Sequence, residues 1–549
     1  MTETTSDRPS ESTTRPRASS VHKGTVEDIV HNIVANESSI DAQKSLRYTE
    51  LEHSYGFWQA AKLYYPAVLW CIFVDISVIC CGVDGAVVGS VVGLDTFTKQ
   101  FGRYVAGSGY VIPAAWLGAF NYSNLLGSIF GSLFAGQAYN YLGPRRLLAI
   151  CSLASIGSIF FDFFAKTPAI LFVGELLNGI MIGFYPVIAS AYIGEVSPLA
   201  LRGVSGSLVN LSYVIGQFIS SGVLKGTNTI PTQWSYRIPF AIEWIWPVII
   251  FCGCFWCPDP PYWLLRKGRV SEAEKSLRRL ATPAVDISLN MANVRETLLL
   301  EDRMKESEGK SSFMEVFRGP NLRRLIISSM VFNIQAFVGN IFFINYAVYF
   351  FELAGLDSSD SFSMNMGLTA MGFLGTCLSW PLMSYCGRRT LELWGCVALN
   401  VLMLIIGLVD LAPRNSSGPA WAQSGLMLFA NFIYDVTVGP ICFVYLCEIS
   451  SAKLRSVTIA IANVTVCIFS IIFAVAIPYA INVDEANWRG KLGFLFAGIG
   501  ALCSVWCYFC LPESKGRTVE ELDIMFEQKV GSRQFSKYHI VGAVEVGDA

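Results

Sequence analysis

Hydrophobic residues in this chain fall in continuous runs of roughly 20, the length of a helix crossing about 30 Å of hydrocarbon, and not in the strict alternation of barrel strands. Each run predicts a membrane-spanning helix. Six lie near Pro66 to Val92, Ala114 to Ala138, Leu147 to Ala165, Ile170 to Ile193, Val204 to Leu224 and Ile238 to Cys257. Six more lie near Leu325 to Phe351, Met364 to Tyr385, Leu391 to Leu411, Ala422 to Cys447, Val457 to Ile481 and Leu492 to Leu511. Between the sets, Pro258 to Asn321 is polar and helix-forming, with Arg266, Lys267, Arg269, Lys275, Arg278 and Arg279. The expected organisation is a disordered tail over 1–60, a six-helix half over 61–257, a helical linker over 258–322, a second half over 323–511 and a polar tail over 512–549.

Two phrases recur in the same order. YPVIASAYIGEVSPLALRG (Tyr185 to Gly203) carries Glu195 and Arg202, and GPICFVYLCEISSAKLRS (Gly439 to Ser456) carries Glu448 and Arg455 at the same mutual spacing. GPRRLL (Gly143 to Leu148) and GRRTLE (Gly387 to Glu392) precede them. Two signatures repeated in order imply two related halves. The basic clusters, from Arg145/Arg146 and Arg202 through the linker to Arg388/Arg389, Lys453/Arg455 and Lys515/Arg517, fall on one side of the spans. That is the positive-inside pattern, which puts both termini and the linker in the cytoplasm. An opposite loop holds Asn415-Ser416-Ser417, a glycosylation sequon in reach of glycan machinery.

Composition agrees with the pattern: 53% of the 549 residues are hydrophobic and 15% charged, too apolar for a chain that must cover itself with polar surface. A net charge of -2 and the lack of a phosphate-cradling glycine loop argue against a nucleic-acid or nucleotide partner. The 16 cysteines are scattered through apolar runs, and the Cys254/Cys257 pair has no second pair or nearby His, so neither a metal site nor a disulfide framework is expected. No nucleophile, base and orienter are grouped, so an enzyme is not expected, and no cofactor is implied.

The repeated phrases, with VGELLNGI at Val173, NLSYVIGQFISSGVL at Asn210, YRIPFAIEWIWP at Tyr236, YWLLRKGR at Tyr262 and VGPICFVYLCEI at Val438, resemble the sugar porter family of the major facilitator superfamily. Within it they are most similar to fungal maltose and general α-glucoside proton symporters. The resemblance implies an all-α membrane fold of about twelve helices, a solute site between the halves, and alternating access. It also implies a gating latch in which Arg145, Arg146, Arg388 and Arg389 pair with Glu195 and Glu448, with Arg202 and Arg455 beside them. The latch phrase departs from the family: Asn140 and Tyr141 replace an Asp and an Arg, and Ser384 replaces an acid.

Carboxylates inside spans are costly, and each is a functional candidate. The resemblance puts Asp84 at the proton-carrying acid of the first span and Glu175 at the glutamate of the α-glucoside class; Cys81 stands where that class has a second acid. Asp435 precedes the Gly439-Pro440 break and is a further cavity candidate, while Asp75 and Asp162 fit interhelix bonding or helix ends. A sugar needs directional hydrogen bonds and aromatic faces. Asn210, Gln217, Gln335, Asn340 and Asn345 are the candidate amides, serving either the solute or helix-to-helix contact, and Phe443 takes the place of the family's tryptophan. Ala336, Ile341 and Val466 replace polar residues, so the site is expected to be less polar than a hexose site. The expected function is proton-coupled uptake of an α-glucoside or related sugar by a monomeric, multi-pass plasma-membrane carrier. The alternatives are a carrier or exporter of a less polar solute and a non-transporting sugar receptor.

Overall fold

The computed structural model describes residues 40–105, 109–306, 313–345, 347–348, 351, 358–412, 418–451, 453–481 and 488–538. Among these, eleven helices are long and apolar enough to cross a membrane, and Ala114–Leu142, with 29 residues, adds a twelfth. Two helices come first: α1 over 40–54 and α2 (Phe57–Leu63). The first half then comprises α3 (Tyr65–Val91), a short α4 (Asp95–Phe101), α5 (Ala114–Leu142), α6 (Pro144–Phe163), α7 (Pro168–Val196) and α8 (Leu199–Thr227). A sixth span, α9 (Trp234–Glu243) and α10 (Ile245–Gly253), closes it. A two-stranded antiparallel hairpin, β1 (Arg103–Val105) and β2 (Gly109–Val111), lies between α4 and α5. The linker is α11 (Pro261–Arg266), α12 (Val270–Leu280) and α13 (Ile287–Glu306). The second half is α14 (Gly319–Phe337), α15 (Ser358–Tyr385), α16 (Arg388–Val409), α17 (Gly418–Val436), α18 (Val438–Ile449), α19 (Arg455–Ile481) and α20 (Leu492–Cys510), followed by α21 (Val519–Glu527).

Local chemistry sets the boundaries. Proline stands in the first turn of α3, α6, α7 and α14, where its missing N–H is one the helix leaves unpaired anyway. Between α5 and α6, Gly143 has φ of 84°, and a Cβ there would meet the Trp263 ring at 2.8 Å. The glycine of the GPRR phrase therefore answers both a turn and a close approach. In the tenth span Pro440 cannot donate to the carbonyl four residues back, and its ring crowds that turn. The helix breaks at Thr437, whose hydroxyl caps the Ile433 carbonyl at 2.7 Å.

Two small-residue pairs draw α5 and α7 together. A Cβ on Gly127 or Gly131 would lie 2.2 and 2.0 Å from the carbonyls of Leu176 and Ile180; one on Gly179 or Gly183 would lie 2.3 and 2.4 Å from those of Asn124 and Ser128. Both helices carry glycine at four-residue spacing, which lets backbones touch where lipid supplies no hydrophobic drive. This crossing puts Asn124 beside the acids of α3 and α7.

The N-terminal tail differs from expectation. The disordered tail anticipated to residue 60 is helical from residue 40, because Tyr48 and Tyr64 find a common interior site with hydroxyls 3.1 Å apart, and Ala60 and Tyr64 pack with Leu201 and Leu280. Ser45 donates to Asn293 at 2.9 Å and His53 lies 3.6 Å from Glu521, so α1 touches both the linker and α21. After the last span, α21 starts in a capping box of Thr518 and Glu521 and is held to α14 by the Arg324–Asp523 pair.

Candidate functional site

A cavity of about 270 Å³ lies between the halves. A larger hollow of about 620 Å³ sits on the linker face among Asp41, Lys44, Glu274, Arg278 and Arg295; it is a surface feature remote from the spans, whereas the central cavity draws its wall from both halves. α8 contributes Asn210, Tyr213 and Gln217; α14 and the turn after it contribute Phe332, Gln335, Ala336, Asn340 and Ile341. Tyr434 and Asp435 come from α17, Phe443 from α18, and Asn463 and Val466 from α19.

The polar wall is already cross-linked. Tyr434 donates its hydroxyl to Gln335 at 2.6 Å and accepts from the Asn340 amide at 3.3 Å. Asn210 donates to Thr376 at 3.0 Å and to Asp435 at 2.9 Å, and Asn463 donates to Ser132 at 2.6 Å; these bonds join one half to the other. Three rings supply flat apolar surface: Phe443 stacks on Tyr213 with centroids 6.0 Å apart and planes inclined by 27°, and meets Phe332 edge-on at 5.2 Å. Ala336, Ile341 and Val466, all at places where the resemblance leads one to expect polar side chains, are in the wall as well. Of the candidate amides, the side chain of Asn345 lies outside the described residues, as does the sequon residue Asn415.

Asp84 and Glu175 are buried, but neither lines the cavity. Asp84 is held by two amides: Asn178 donates to one oxygen and Asn124 to the other, each at 2.5 Å. Asn178 in turn accepts from Ser155 at 2.9 Å and from Ser158 at 3.2 Å. Asn124 is itself a wall residue, so it stands between the acid and the cavity. Asp162 and Glu243, also buried, share the electrostatic neighbourhood of Asp84 and Glu175. Neither Asn124 nor Asn178 was picked out from sequence; the only signal was an amide beside the glycines of the two GxxxG pairs.

At the linker end, the expected pairing holds for one acid and not the other. Arg388 reaches Glu448 at 3.2 Å, and Ser514 donates to the second oxygen of Glu448 at 2.5 Å. Glu195, however, meets Arg266 of the linker at 3.6 Å. Arg145 does not pair with it, because its guanidinium turns to the carbonyls of Cys254 and Phe255, both at 2.7 Å, at the negative end of the sixth span. Arg146 is exposed, and Arg389 donates to the Tyr508 carbonyl at 2.6 Å. Arg202 lines the same small cavity as Glu195 without an ion pair to it. Arg455, 1% exposed, crosses from the second half and packs on Gly194 beside Glu195, while Arg388 packs on Gly203 of the first. Ser456 also donates across to the Gly136 carbonyl at 3.1 Å. On the far side of the cavity Asn365 donates to Ser221 at 3.2 Å and Phe362 packs on Gly93, so the halves meet at both ends.

The family model for "Sugar (and other) transporter" matches residues 70–526. The general alpha-glucoside permease of Saccharomyces cerevisiae is 30% identical over 517 residues, which is 93% of this chain and 82% of that protein. The maltose permease MAL31 of the same yeast is 29% identical over 506 residues, 91% of this chain and 81% of that one. Among solved structures, the proton:xylose symporter XylE bound to 6-bromo-6-deoxy-D-glucose superposes with TM-score 0.71 at 21% identity, covering 84% of this chain and 99% of that chain. XylE from E. coli in its inward-open conformation gives TM-score 0.60 at 20% identity, covering 83% and 98%. At these identities the likeness to XylE establishes the fold alone.

Proposed function

Because this chain belongs to the sugar (and other) transporter family, we propose that it is a proton-coupled carrier that takes up an α-glucoside or related sugar across the plasma membrane by alternating access. The observation that carries the reading is the position of Asn124: one side chain both lines the solute cavity and holds a buried acid. The hydroxyl-binding wall of Asn210, Gln217, Gln335, Asn340, Tyr434 and Asn463, with the Phe443, Tyr213 and Phe332 rings, suits a solute with hydroxyls on its rim and C–H surface on its faces.

The coupling follows from hydrogen-bond chemistry. An ionised Asp84 accepts two charge-assisted bonds and commits the Asn124 and Asn178 amides to itself. A proton on Asp84, with Glu175 as its neighbour in the acid cluster, weakens those bonds and frees Asn124 to turn to a solute hydroxyl. Solute and proton therefore favour the same arrangement of one amide. Opening to the cytoplasm then separates the halves at the linker end, where Arg388–Glu448 clamps the second half internally, Arg266–Glu195 ties the linker to the first half and Arg455 bridges the halves. In this reading the linker and both termini are cytoplasmic, Asn415 is external and open to glycosylation, and one chain is the transporting unit.

The test is uptake of radiolabelled maltose by yeast lacking their own sugar carriers and expressing this chain, with external pH followed in an unbuffered suspension. Uptake with matching alkalinisation is the expected result. No uptake by protein shown to be at the cell surface would overturn the reading and point to a less polar solute.

A further inference from the structure

Asp435 is the one charged side chain in the cavity wall among the described residues, and the proton route above does not use it. It stands two residues before the Thr437 break and is 2% exposed. Its carboxylate sits against α15 where two glycines clear the space: a Cβ on Gly372 would lie 2.5 Å from Oδ2, and one on Gly375 would lie 3.1 Å from the Asp435 Cβ. The hydrogen bond it receives comes from the opposite half, from Asn210 at 2.9 Å, and Asn210 is shared with Thr376 of α15 at 3.0 Å. Among the described residues, no Lys or Arg lines the cavity to neutralise it.

A carboxylate so placed is acceptor-only when ionised, with two oxygens and about four lone-pair directions, of which Asn210 uses one. Its complement is a neutral solute that presents adjacent hydroxyl donors. We propose that Asp435 is a specificity-determining solute ligand: it accepts hydrogen bonds from a pair of neighbouring solute hydroxyls, which replace the Asn210 amide. Binding then exchanges a direct bond between the halves for a bridge through the solute. Asn210, released from Asp435, turns its amide to the same molecule. Selectivity follows, since a site built to pair a hydroxyl rejects the analogue lacking it far more strongly than an apolar wall rejects one that is slightly too small.

This inference rests on the sugar reading, and its test separates the two. Wild type, Asp435→Asn and Asp435→Ala are reconstituted in proteoliposomes and compared by counterflow of maltose, without a proton gradient, and of a series of its monodeoxy analogues; proton-driven accumulation is measured in parallel. The asparagine variant keeps the shape and one acceptor oxygen, so it controls for misfolding of the alanine variant. The expected result is a half-saturation concentration raised at least tenfold in Asp435→Asn for maltose, much less for one or two of the deoxy sugars, with the proton-to-solute ratio unchanged. Unchanged affinity and analogue ranking would overturn the inference and leave the sugar reading intact. Normal counterflow with lost accumulation would overturn it too, by making Asp435 a proton carrier. A wild type that moves neither maltose nor any analogue would overturn the sugar reading and this inference with it.

Discussion

The Asn124 amide lies 2.5 Å from Asp84 while its residue forms part of the wall of the cavity between the halves, so the buried acid and that cavity are joined through a single side chain. Among the described residues no cation donates to Asp84; two amides hold it. Removing one donor from a charged acceptor costs about 1.5–3 kcal/mol, equivalent to roughly 10- to 100-fold in an equilibrium. Asn124→Ala is therefore expected to cut proton-driven accumulation about tenfold or more while counterflow of the same sugar falls much less. Parallel counterflow and gradient-driven uptake in vesicles check this, and an equal loss in both would reduce Asn124 to a solute ligand only.

The crossing that delivers Asn124 is a backbone contact. A methyl on Gly131 or Gly183 would fall 2.0 or 2.4 Å from a carbonyl oxygen of the other helix, a distance no side-chain rotation relieves. Overpacking of this kind costs about 1–3 kcal/mol or more. Gly183→Val is expected to lower the melting temperature in detergent and to abolish uptake, whereas the same change at Gly157, which faces open space, leaves both near wild type. Equal behaviour of the two variants would show that α5 and α7 tolerate separation.

Much of this was legible in the sequence. Run lengths and the paired phrases around Glu195/Arg202 and Glu448/Arg455 carry the twelve-helix, two-half plan, because span length and charge at the water edge are local properties. Pro440 likewise forecasts the break near Asp435. The partners were not legible. Arg388 finds Glu448, but Arg145 turns to the carbonyls at the end of α10 and leaves Glu195 to Arg266 of the linker, since which cation reaches which acid depends on how helix ends pack. Asn124 was equally hidden: an amide in an apolar run looks the same whether it glues helices or holds an acid.

Glu448 is buried between Arg388, at the start of α16, and Ser514, just after α20. Removing one member of a buried ion pair strands the other and costs about 3–5 kcal/mol, while replacing both by apolar groups of similar size is often neutral. Glu448→Ala should therefore melt well below wild type, and the double change Arg388→Met with Glu448→Leu should recover much of the loss. Thermal unfolding of the purified variants reads this directly, and additive losses in the double variant would contradict it.

Cys447 offers an internal reporter of the linker end. Its thiol lies 3.3 Å from the Ser190 carbonyl of the other half and is fully buried while the halves are closed there. Glu195→Gln removes the charge that Arg266 and the buried Arg455 share, so the closed state weakens. Maleimide labelling of Cys447, followed by peptide mass spectrometry, is expected to be several-fold faster in that variant. Unchanged labelling would mean that Glu195 does not bias the gate.

The contact between α1 and α21 should respond to pH. The Glu521 carboxylate beside His53 raises that imidazole above its ordinary value of about 6.5. Burial pushes Glu521 up, but hydrogen bonds from His53 and the Thr518 backbone outweigh it and leave the carboxyl below its ordinary value. A raised histidine contributes stability that is complete below about pH 6.5 and is lost as pH rises through its folded value; a lowered glutamate contributes above its ordinary value of about 4.3. The pair is thus strongest in mildly acid solution and fades toward alkaline pH. The His53 side chain is 37% exposed, so solvent screening keeps the effect local to α1 and small beside global stability. Amide exchange of residues 40–54, corrected for intrinsic rate, is expected to show greater protection at pH 6 than at pH 8, with Glu521→Gln reducing that difference. A wild-type difference that survives the substitution would place the titrating group elsewhere.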